Sequence, residues 1–237
     1  MKPNEEQLWY KEARSLKYFL HRQLWQLLTL LILVPITWAF AAPVMGGNSW
    51  LGITDITWFW LAIGVSIIHQ VVVWIVFRLQ LGWGTLSKIF GDFDLFVWAL
   101  LFLPFLLARV ISLVGLAYVN SGTLVLPDKL AITLAFFLII PAIYTLWSVI
   151  RYFGLIRALG ADHFRISYRK MPLVKKGIFK WNNNSMYSFA FLMLWAIALL
   201  LGSQAALSVA LFQHVYIWVH YFCTEKPDME IIYSIKN

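Results

Sequence analysis

The sequence predicts an all-α polytopic membrane protein: four transmembrane helices, then a short C-terminal helical hairpin, with both termini cytoplasmic. Three observations carry this. Of 237 residues, 61% are hydrophobic and 13% charged, and the mean hydropathy is +0.74, a composition suited to hydrocarbon. Several apolar runs reach the roughly 20 residues a helix needs to cross a core about 30 Å thick, and the alternation of a membrane barrel is absent. Basic residues gather in every second loop, as the positive-inside bias requires.

Residues 1–23 are mixed in character. Leu8, Trp9, Ala13, Leu16, Phe19 and Leu20 fall at helical spacing, with Glu5, Glu6, Lys11, Arg14 and Lys17 between them. This pattern predicts an amphipathic helix over Asn4 to Arg22 lying in the interface, or else a polar cap packed on neighbouring loops. Residues 24–152 supply the four spans, at Leu24 to Ala41, Trp58 to Phe77, Leu95 to Tyr118 and Leu130 to Tyr152, with Pro35, Pro104 and Pro141 as kinks. Ala39-Phe40-Ala41-Ala42 looks like a cleavage site, but the charged segment ahead of the first span is unlike a secretory leader, and the span is expected to be retained.

Residues 153–185 form a basic cytoplasmic segment, and residues 186–237 a helical hairpin and tail. Met186 to Cys223 exceeds one span and falls short of two, and Gly202-Ser203-Gln204 divides it into two short helices. The segments Lys2 to Arg22, Arg78 to Lys88, Arg151 to Lys180 and Lys226 to Lys236 hold nearly every basic residue, whereas the opposite loops offer Lys129. An even number of crossings satisfies this distribution. No repeat or low-complexity linker interrupts the chain, so residues 1–237 read as one membrane domain.

The net charge of +8 is a topology signal, since no nucleic-acid motif accompanies it; no nucleic-acid partner is expected. The single cysteine, Cys223, excludes an internal disulfide and a cysteine metal cluster, and no metal site is expected. No G-x-G-x-x-G loop of the soluble nucleotide-binding type is present.

Chemistry concentrates at the water-facing ends of the closing hairpin. A basic stretch from Val174 to Trp181 leads into Asn183-Asn184-Ser185-Met186-Tyr187, and the apolar arms end at Glu225-Lys226-Pro227-Asp228-Met229, with Tyr233 and Ser234 beyond. This C-terminal third resembles the membrane methyltransferase superfamily of phosphatidylethanolamine N-methyltransferases and isoprenylcysteine carboxyl methyltransferases. The family's Gly-aromatic turn corresponds to Gly177-Ile178-Phe179, its Arg-His-Pro-x-Tyr motif to Asn183–Tyr187, and its glutamate motif to the segment beginning at Glu225. Asn184, Met186-Tyr187 and Pro227 are closer to the phospholipid branch. Asn183, Ser185, Phe189, Ala196 and Lys226 depart from the family pattern, at an arginine, a proline, two glycines and a second glutamate.

The resemblance implies S-adenosylmethionine bound on the cytoplasmic side, its methyl directed toward a membrane lipid, most simply the amine of a phosphatidylethanolamine-type phospholipid. The enclosing membrane would be a bacterial inner membrane or one of endoplasmic-reticulum type. Gly177, Phe179, Trp181, Asn183, Asn184, Tyr187 and Glu225 are the expected cofactor residues, with Glu225 and Tyr187 at the reacting centre. A zwitterionic aminoacyl tail and an adenosine call for a carboxylate, amide donors and a ring, which these positions contain. Glu225 reads better as an electrostatic ligand than as a base, because a carboxylate between a sulfonium and an ammonium is held in its charged form. Lys176 and Lys180 are candidates for a lipid phosphate, and Trp218 and Tyr221, with Tyr187, for cation–π contact with a methylated ammonium.

Further polar residues carry alternatives. Arg109, inside the third span and nearer the side opposite the expected cofactor, either serves function or snorkels to the far interface or pairs with another helix, and is not expected to be catalytic. His69, His214 and His220 lie in spans and could ligate haem, although buried histidines more often bond a neighbouring helix. Asp92 and Asp94 read as caps of the third span, and Asp162 and His163 as candidates to line the cytoplasmic pocket. Rival functions are the same fold acting on a prenylcysteine carboxylate or small thiol, and a cofactor-free accessory subunit whose Phe189 and Ala196 fill the pocket.

Overall fold

The computed structural model describes residues 9–233. It contains a short turn α1 (Leu16–Phe19) followed by α2 (Gln23–Ala41), a two-stranded hairpin of β1 (Ser49–Trp50) and β2 (Ile53–Thr54), then α3 (Asp55–Trp83) and α4 (Thr85–Phe90). Next come α5 (Asp94–Val119), α6 (Asp128–Ser148), the short α7 (Leu155–Ala158) and α8 (Ile166–Arg169), and finally α9 (Leu192–Leu200), α10 (Gln204–His220) and α11 (Lys226–Tyr233). The all-α membrane class is confirmed: five helical segments are long and apolar enough to cross a membrane, and Met186–Leu200 is a shorter apolar helix.

The closing arm differs from the sequence expectation. Two short helices are expected there, yet helical structure runs from Gln204 to Tyr233 without a break, and its length alone suffices to cross. Pro227 is the residue that should stop it, since proline has no N–H for the carbonyl four residues back. The chain instead passes through a wide π turn at Tyr221–Glu225. The Cys223 carbonyl left unpaired by Pro227 accepts from Gln23 Nε2 and Arg78 Nη2, each at 3.2 Å, and the Phe222 carbonyl accepts from Arg22 Nη1 at 3.0 Å. Side chains from α3 and the start of α2 thus replace the missing backbone donors.

The segment expected as one amphipathic helix over residues 4–22 is a cap of short turns in its described part; Asn4 to Leu8 lie outside the described residues. The Tyr10 amide donates to the Leu81 carbonyl at 3.0 Å, the Tyr10 hydroxyl to the Ile232 carbonyl at 3.2 Å and Arg14 Nε to the Gly82 carbonyl at 2.7 Å. The Tyr10 amide and the carbonyls of Tyr18 and Phe19, which a continuous helix would satisfy internally, are partnered instead by Leu81, Arg78 and Trp74 of α3. α3 likewise extends beyond the expected Phe77 to Trp83, because Arg78 and Gln80, which read as loop residues, are fully buried and partnered.

The core is built from α3, α5, α9 and α10, with Phe59, Ile63, Leu113, Leu116, Val209, Phe212 and Tyr216 buried together. Small residues allow the close approach: a Cβ on Gly115 of α5 would lie 2.7 Å from the Trp58 ring of α3. Lipid-facing positions such as Leu100, Leu107, Phe137 and Ile140 remain more than half exposed, as expected for helices solvated by hydrocarbon.

The helix ends divide into two groups. At one end Asn120 Nδ2 donates to the Val44 carbonyl, and Asn120 Oδ1 accepts from Ser203 Oγ and Thr123 Oγ1, joining the loops after α2, α5 and α9. At the other end lie residues 9–22, α4, the segment 154–185 and α11, with the basic side chains. Lys129, at the start of α6, is the exception among the described lysines and arginines outside the helix interior.

Candidate active site

At the basic end the two motif segments, separated in sequence, come into contact. The Tyr187 hydroxyl, on a wide turn at Met186–Ala190, donates to Glu225 Oε2, on the wide turn before Pro227. Both turns are π-helical, a geometry that adds a residue to the turn and re-aims the side chains it carries. The Glu225 side chain is 19% exposed and its Oε1 stands 3.8 Å from His220 Nε2, which leaves one carboxylate oxygen available to a ligand. Around it, the Tyr187 ring lies 6.0 Å from Trp218 and 5.7 Å from Tyr221, and Trp218 and Tyr221 are 5.7 Å apart, edge to face. A carboxylate bonded to one member of a three-ring aromatic cluster suits a cationic ligand.

Beneath Glu225 is a second buried charged group. Asp228, without solvent exposure, is held by Arg78 Nε at 2.9 Å, by the Tyr18 hydroxyl at 2.7 Å and by His163 Nε2 at 3.4 Å. His163 Nδ1 lies 3.3 Å from Asp162 Oδ1, and the Tyr233 hydroxyl donates to Asp162 Oδ2 at 3.2 Å. Burial opposes the imidazolium, but hydrogen bonds and charge from Asp162 and Asp228 outweigh it and raise His163 to about 9. Asp162 is held below the ordinary carboxylate range: burial works against its charge, and the bonds from His163 and Tyr233 prevail. One imidazolium between two carboxylates therefore joins segment 154–185 to α11 and to the underside of the Glu225 turn.

Two arginines of the same segment tie it down. Arg165 forms a bidentate pair with Asp94, Nη1 to Oδ2 at 2.7 Å and Nη2 to Oδ1 at 2.5 Å, and Arg169 Nε donates to the Asp162 carbonyl at 2.6 Å. Asp94, expected as a cap of the third span, accepts from the Leu95 amide at 2.6 Å in the first turn of α5 and also anchors this loop. Asp92 contributes its backbone carbonyl to Arg165.

The other residues singled out in the sequence are dispersed. Gly177 and Phe179 sit against α6: Phe179 is buried and stacked on Phe153 at 5.1 Å. Gly177 has a left-handed φ of +59°, and a Cβ there would lie 2.6 Å from Ser148 Oγ. Trp181 is 82% exposed, and Lys176, Lys180 and Asn183 are exposed while Asn184 is half-buried. Phe189 packs on the cluster of Val149, Ile178 and Phe179, and Ala196 is buried against Ala131 and Ala135. Both occupy helix contacts outside the Tyr187–Glu225 contact.

Asp228 and Arg78 are residues of this site to which the sequence alone assigns no role. Lys226 stands where the family has a second acid, yet it turns outward over the Phe222 ring, its Nζ 5.8 Å from the centroid. The second carboxylate comes from Asp228, three residues after Glu225 and hence on the same helical face. That spacing is the signal by which it could be found. Among histidines, His214 Nδ1 accepts from Trp195 Nε1 at 3.1 Å, whereas His220 abuts Glu225. Among the described residues no group of three or more His, Cys, Asp or Glu side chains is placed to hold a metal ion.

Residues 130–236 match the family model for phospholipid methyltransferase. No curated protein and no solved structure matches the chain. The matched segment takes in α6 as well as the hairpin, reaching further toward the N-terminus than the motifs alone, and it contains Tyr187, Glu225, the Asp162–His163 pair and Asp228. Residues 130–236, which supply Tyr187, Glu225 and Asp228, are thus similar to the phospholipid methyltransferase family.

Proposed function

We propose that the protein transfers a methyl group from S-adenosylmethionine to the amine of a phosphatidylethanolamine-type lipid, with the basic end facing the cytoplasm. The observation that carries this reading is the contact between Tyr187, whose ring packs on Trp218 and Tyr221, and Glu225, which brings together the two segments that resemble the motifs of a methyltransferase family. The donor set suits S-adenosylmethionine: Glu225 has a carboxylate oxygen to spare for the cofactor's ammonium or sulfonium, Asn183 and Asn184 offer amides at the surface, and aromatic faces flank the carboxylate. The cofactor supplies an electrophilic methyl on a positively charged sulfur.

The chain's own residues bind and align. Tyr187 fixes one oxygen of Glu225, so the carboxylate enters the complex in a single orientation. The aromatic ring excludes water and offers faces to the methylated ammonium product, while the apolar sides of α9 and α10 admit the acyl chains from the bilayer. The ammonium form of the acceptor gives up one proton to water before attack; with the neutral amine as nucleophile, alignment in a dry site supplies most of the acceleration.

Titration calorimetry of the purified protein with S-adenosylmethionine tests the reading together with lipid analysis of cells expressing it. Wild-type protein should bind the cofactor and generate mono- and dimethylated ethanolamine lipids, and Glu225→Gln should abolish binding. Wild-type affinity in that variant, or lipid extracts without methylated ethanolamine, would refute it.

A further inference from the structure

The bundle interior contains a second polar cluster, beneath the Glu225 site and away from the loops. His69 and Gln70 of α3, Arg109 of α5, and Gln213 and His220 of α10 are each no more than 3% exposed. Arg109 Nε donates to Gln213 Oε1 at 3.1 Å, and the guanidinium lies 5.2 Å from the centroid of the Phe191 ring. Among the described residues no hydrogen-bond partner is found for Arg109 Nη2, Gln213 Nε2, either polar atom of Gln70, or either nitrogen of His69 and of His220. Buried polar groups are nearly always paired, and a helix interior in hydrocarbon offers no water to make up the deficit.

Two features indicate what such a cluster recognises. It is rich in donors: a guanidinium, two primary amides and two imidazoles. It is also cationic without a counter-charge, for Arg109 meets a neutral amide and an aromatic ring, and no carboxylate pairs with it among the described residues. Water molecules would satisfy donors but leave the charge uncompensated. An anion satisfies both, and a buried charged residue at this depth is a functional site by default. α3, α5 and α10, which carry these residues, pack on one another.

The cluster adjoins the Glu225 site through His220, whose Nε2 is 3.8 Å from Glu225 Oε1. Arg109 is bonded to Gln213, two turns before His220 on the same face of α10, so the guanidinium and the Glu225 carboxylate follow one another along that face and match a zwitterion with a short arm between cation and anion. We propose that Arg109, with His69, Gln70, Gln213 and His220, binds the phosphate of the acceptor lipid's headgroup inside the bundle while Glu225 faces its amine. This rests on the function proposed above. It places the amine toward the basic end and the phosphate deeper in the bundle, and makes Arg109 a determinant of acceptor specificity.

The test uses the full chain in a maltoside detergent free of phosphate. Intrinsic tryptophan fluorescence follows titration with dioleoyl phosphatidylethanolamine, with sphingosine, which has an amine and no phosphate, and with inorganic phosphate; S-adenosylmethionine affinity is measured separately. Arg109→Gln should weaken phosphatidylethanolamine binding at least tenfold, Arg109→Lys should restore part of it, and sphingosine and cofactor affinities should stay as in wild type. Equal binding of phosphatidylethanolamine by wild type and Arg109→Gln would overturn the proposal, as would a parallel loss of sphingosine. Arg109-dependent binding of inorganic phosphate without phosphatidylethanolamine would overturn the lipid as its source. Should Arg109→Gln fail to fold, Gln213→Leu replaces it, with a smaller loss in the same direction expected and an unchanged affinity refuting. Absence of cofactor binding in wild type would instead strike the proposed function, and Arg109-dependent binding of the phospholipid would survive it.

Discussion

Arg78 Nε stands 2.9 Å from Asp228 Oδ1, and neither side chain has any exposure to solvent. This pair joins α3 to α11 directly under the Glu225 turn, and Arg78 also donates to the carbonyls of Tyr18 and Cys223. Breaking a buried pair leaves an uncompensated charge, which costs about 3 to 5 kcal/mol. Asp228→Asn and Arg78→Gln should each lower the thermal midpoint of the detergent-solubilised protein strongly. The double variant Arg78→Met, Asp228→Leu should be closer to wild type than either single change, because it removes both charges together. Additive losses would show that the two residues do not act as a pair.

His163 makes stability dependent on pH. Facing it are Asp162 and Asp228, the Gly160 carbonyl at 3.3 Å from Nδ1, and the Phe77 ring stacked at 3.8 Å. Arg78 and Tyr18 reach Asp228, and Tyr233 reaches Asp162. The folded protein holds the imidazolium up to about 9, whereas an unfolded histidine titrates near 6.5. The contribution is therefore complete below about pH 6.5 and fades as pH rises through about 9. Asp162, held low, contributes in the opposite sense and is lost only in acid. Melting curves between these limits should show wild type losing stability relative to His163→Gln as pH rises. Parallel pH profiles would remove His163 from this role.

The spans and the motif ends are legible in the sequence because they depend on local properties: apolar length, charge count by loop and residue type. The Tyr187–Glu225 contact follows from the hairpin bringing its two ends together. What stays hidden is non-local compensation. Pro227 reads as a helix stop unless Gln23 and Arg78 are known to serve the Cys223 carbonyl, and Arg78 reads as a loop residue unless Asp228 is known to neutralise it. Phe179 and Trp181 carry the same aromatic signal, yet Phe179 lies in the turn that begins at Gly177 and is buried, whereas Trp181 just beyond it points outward.

Gly177 illustrates that turn. Its φ is +59°, and a Cβ added to it would lie 2.6 Å from Ser148 Oγ, so the observed backbone leaves no room for a side chain. Ser148 Oγ also accepts from the Ile178 amide at 3.1 Å, so the turn cannot retreat without losing that bond. Gly177→Ala should destabilise by roughly 1 to 3 kcal/mol through strain at a special backbone angle, and limited proteolysis should cut the segment around residues 171–185 sooner than in wild type. Unchanged cleavage and melting would show that the backbone relaxes freely at this point.

Tyr187→Phe separates orientation of the carboxylate from its charge. The hydroxyl donates to Glu225 Oε2, while the ring itself, at 6.0 Å from Trp218 and 5.7 Å from Tyr221, is retained in phenylalanine. A hydrogen bond to a charged group is worth about 1.5 to 3 kcal/mol, so S-adenosylhomocysteine affinity in calorimetry should fall roughly 10- to 100-fold if the bond is what orients Glu225 for the ligand. Thermal stability should change less than affinity, because the aromatic packing survives. Tyr187→Ala removes the ring as well, and the affinity for the methylated lipid product should then fall further than in Tyr187→Phe. If Tyr187→Phe binds the cofactor product as wild type does, Glu225 is positioned by its helix alone and the hydroxyl is dispensable.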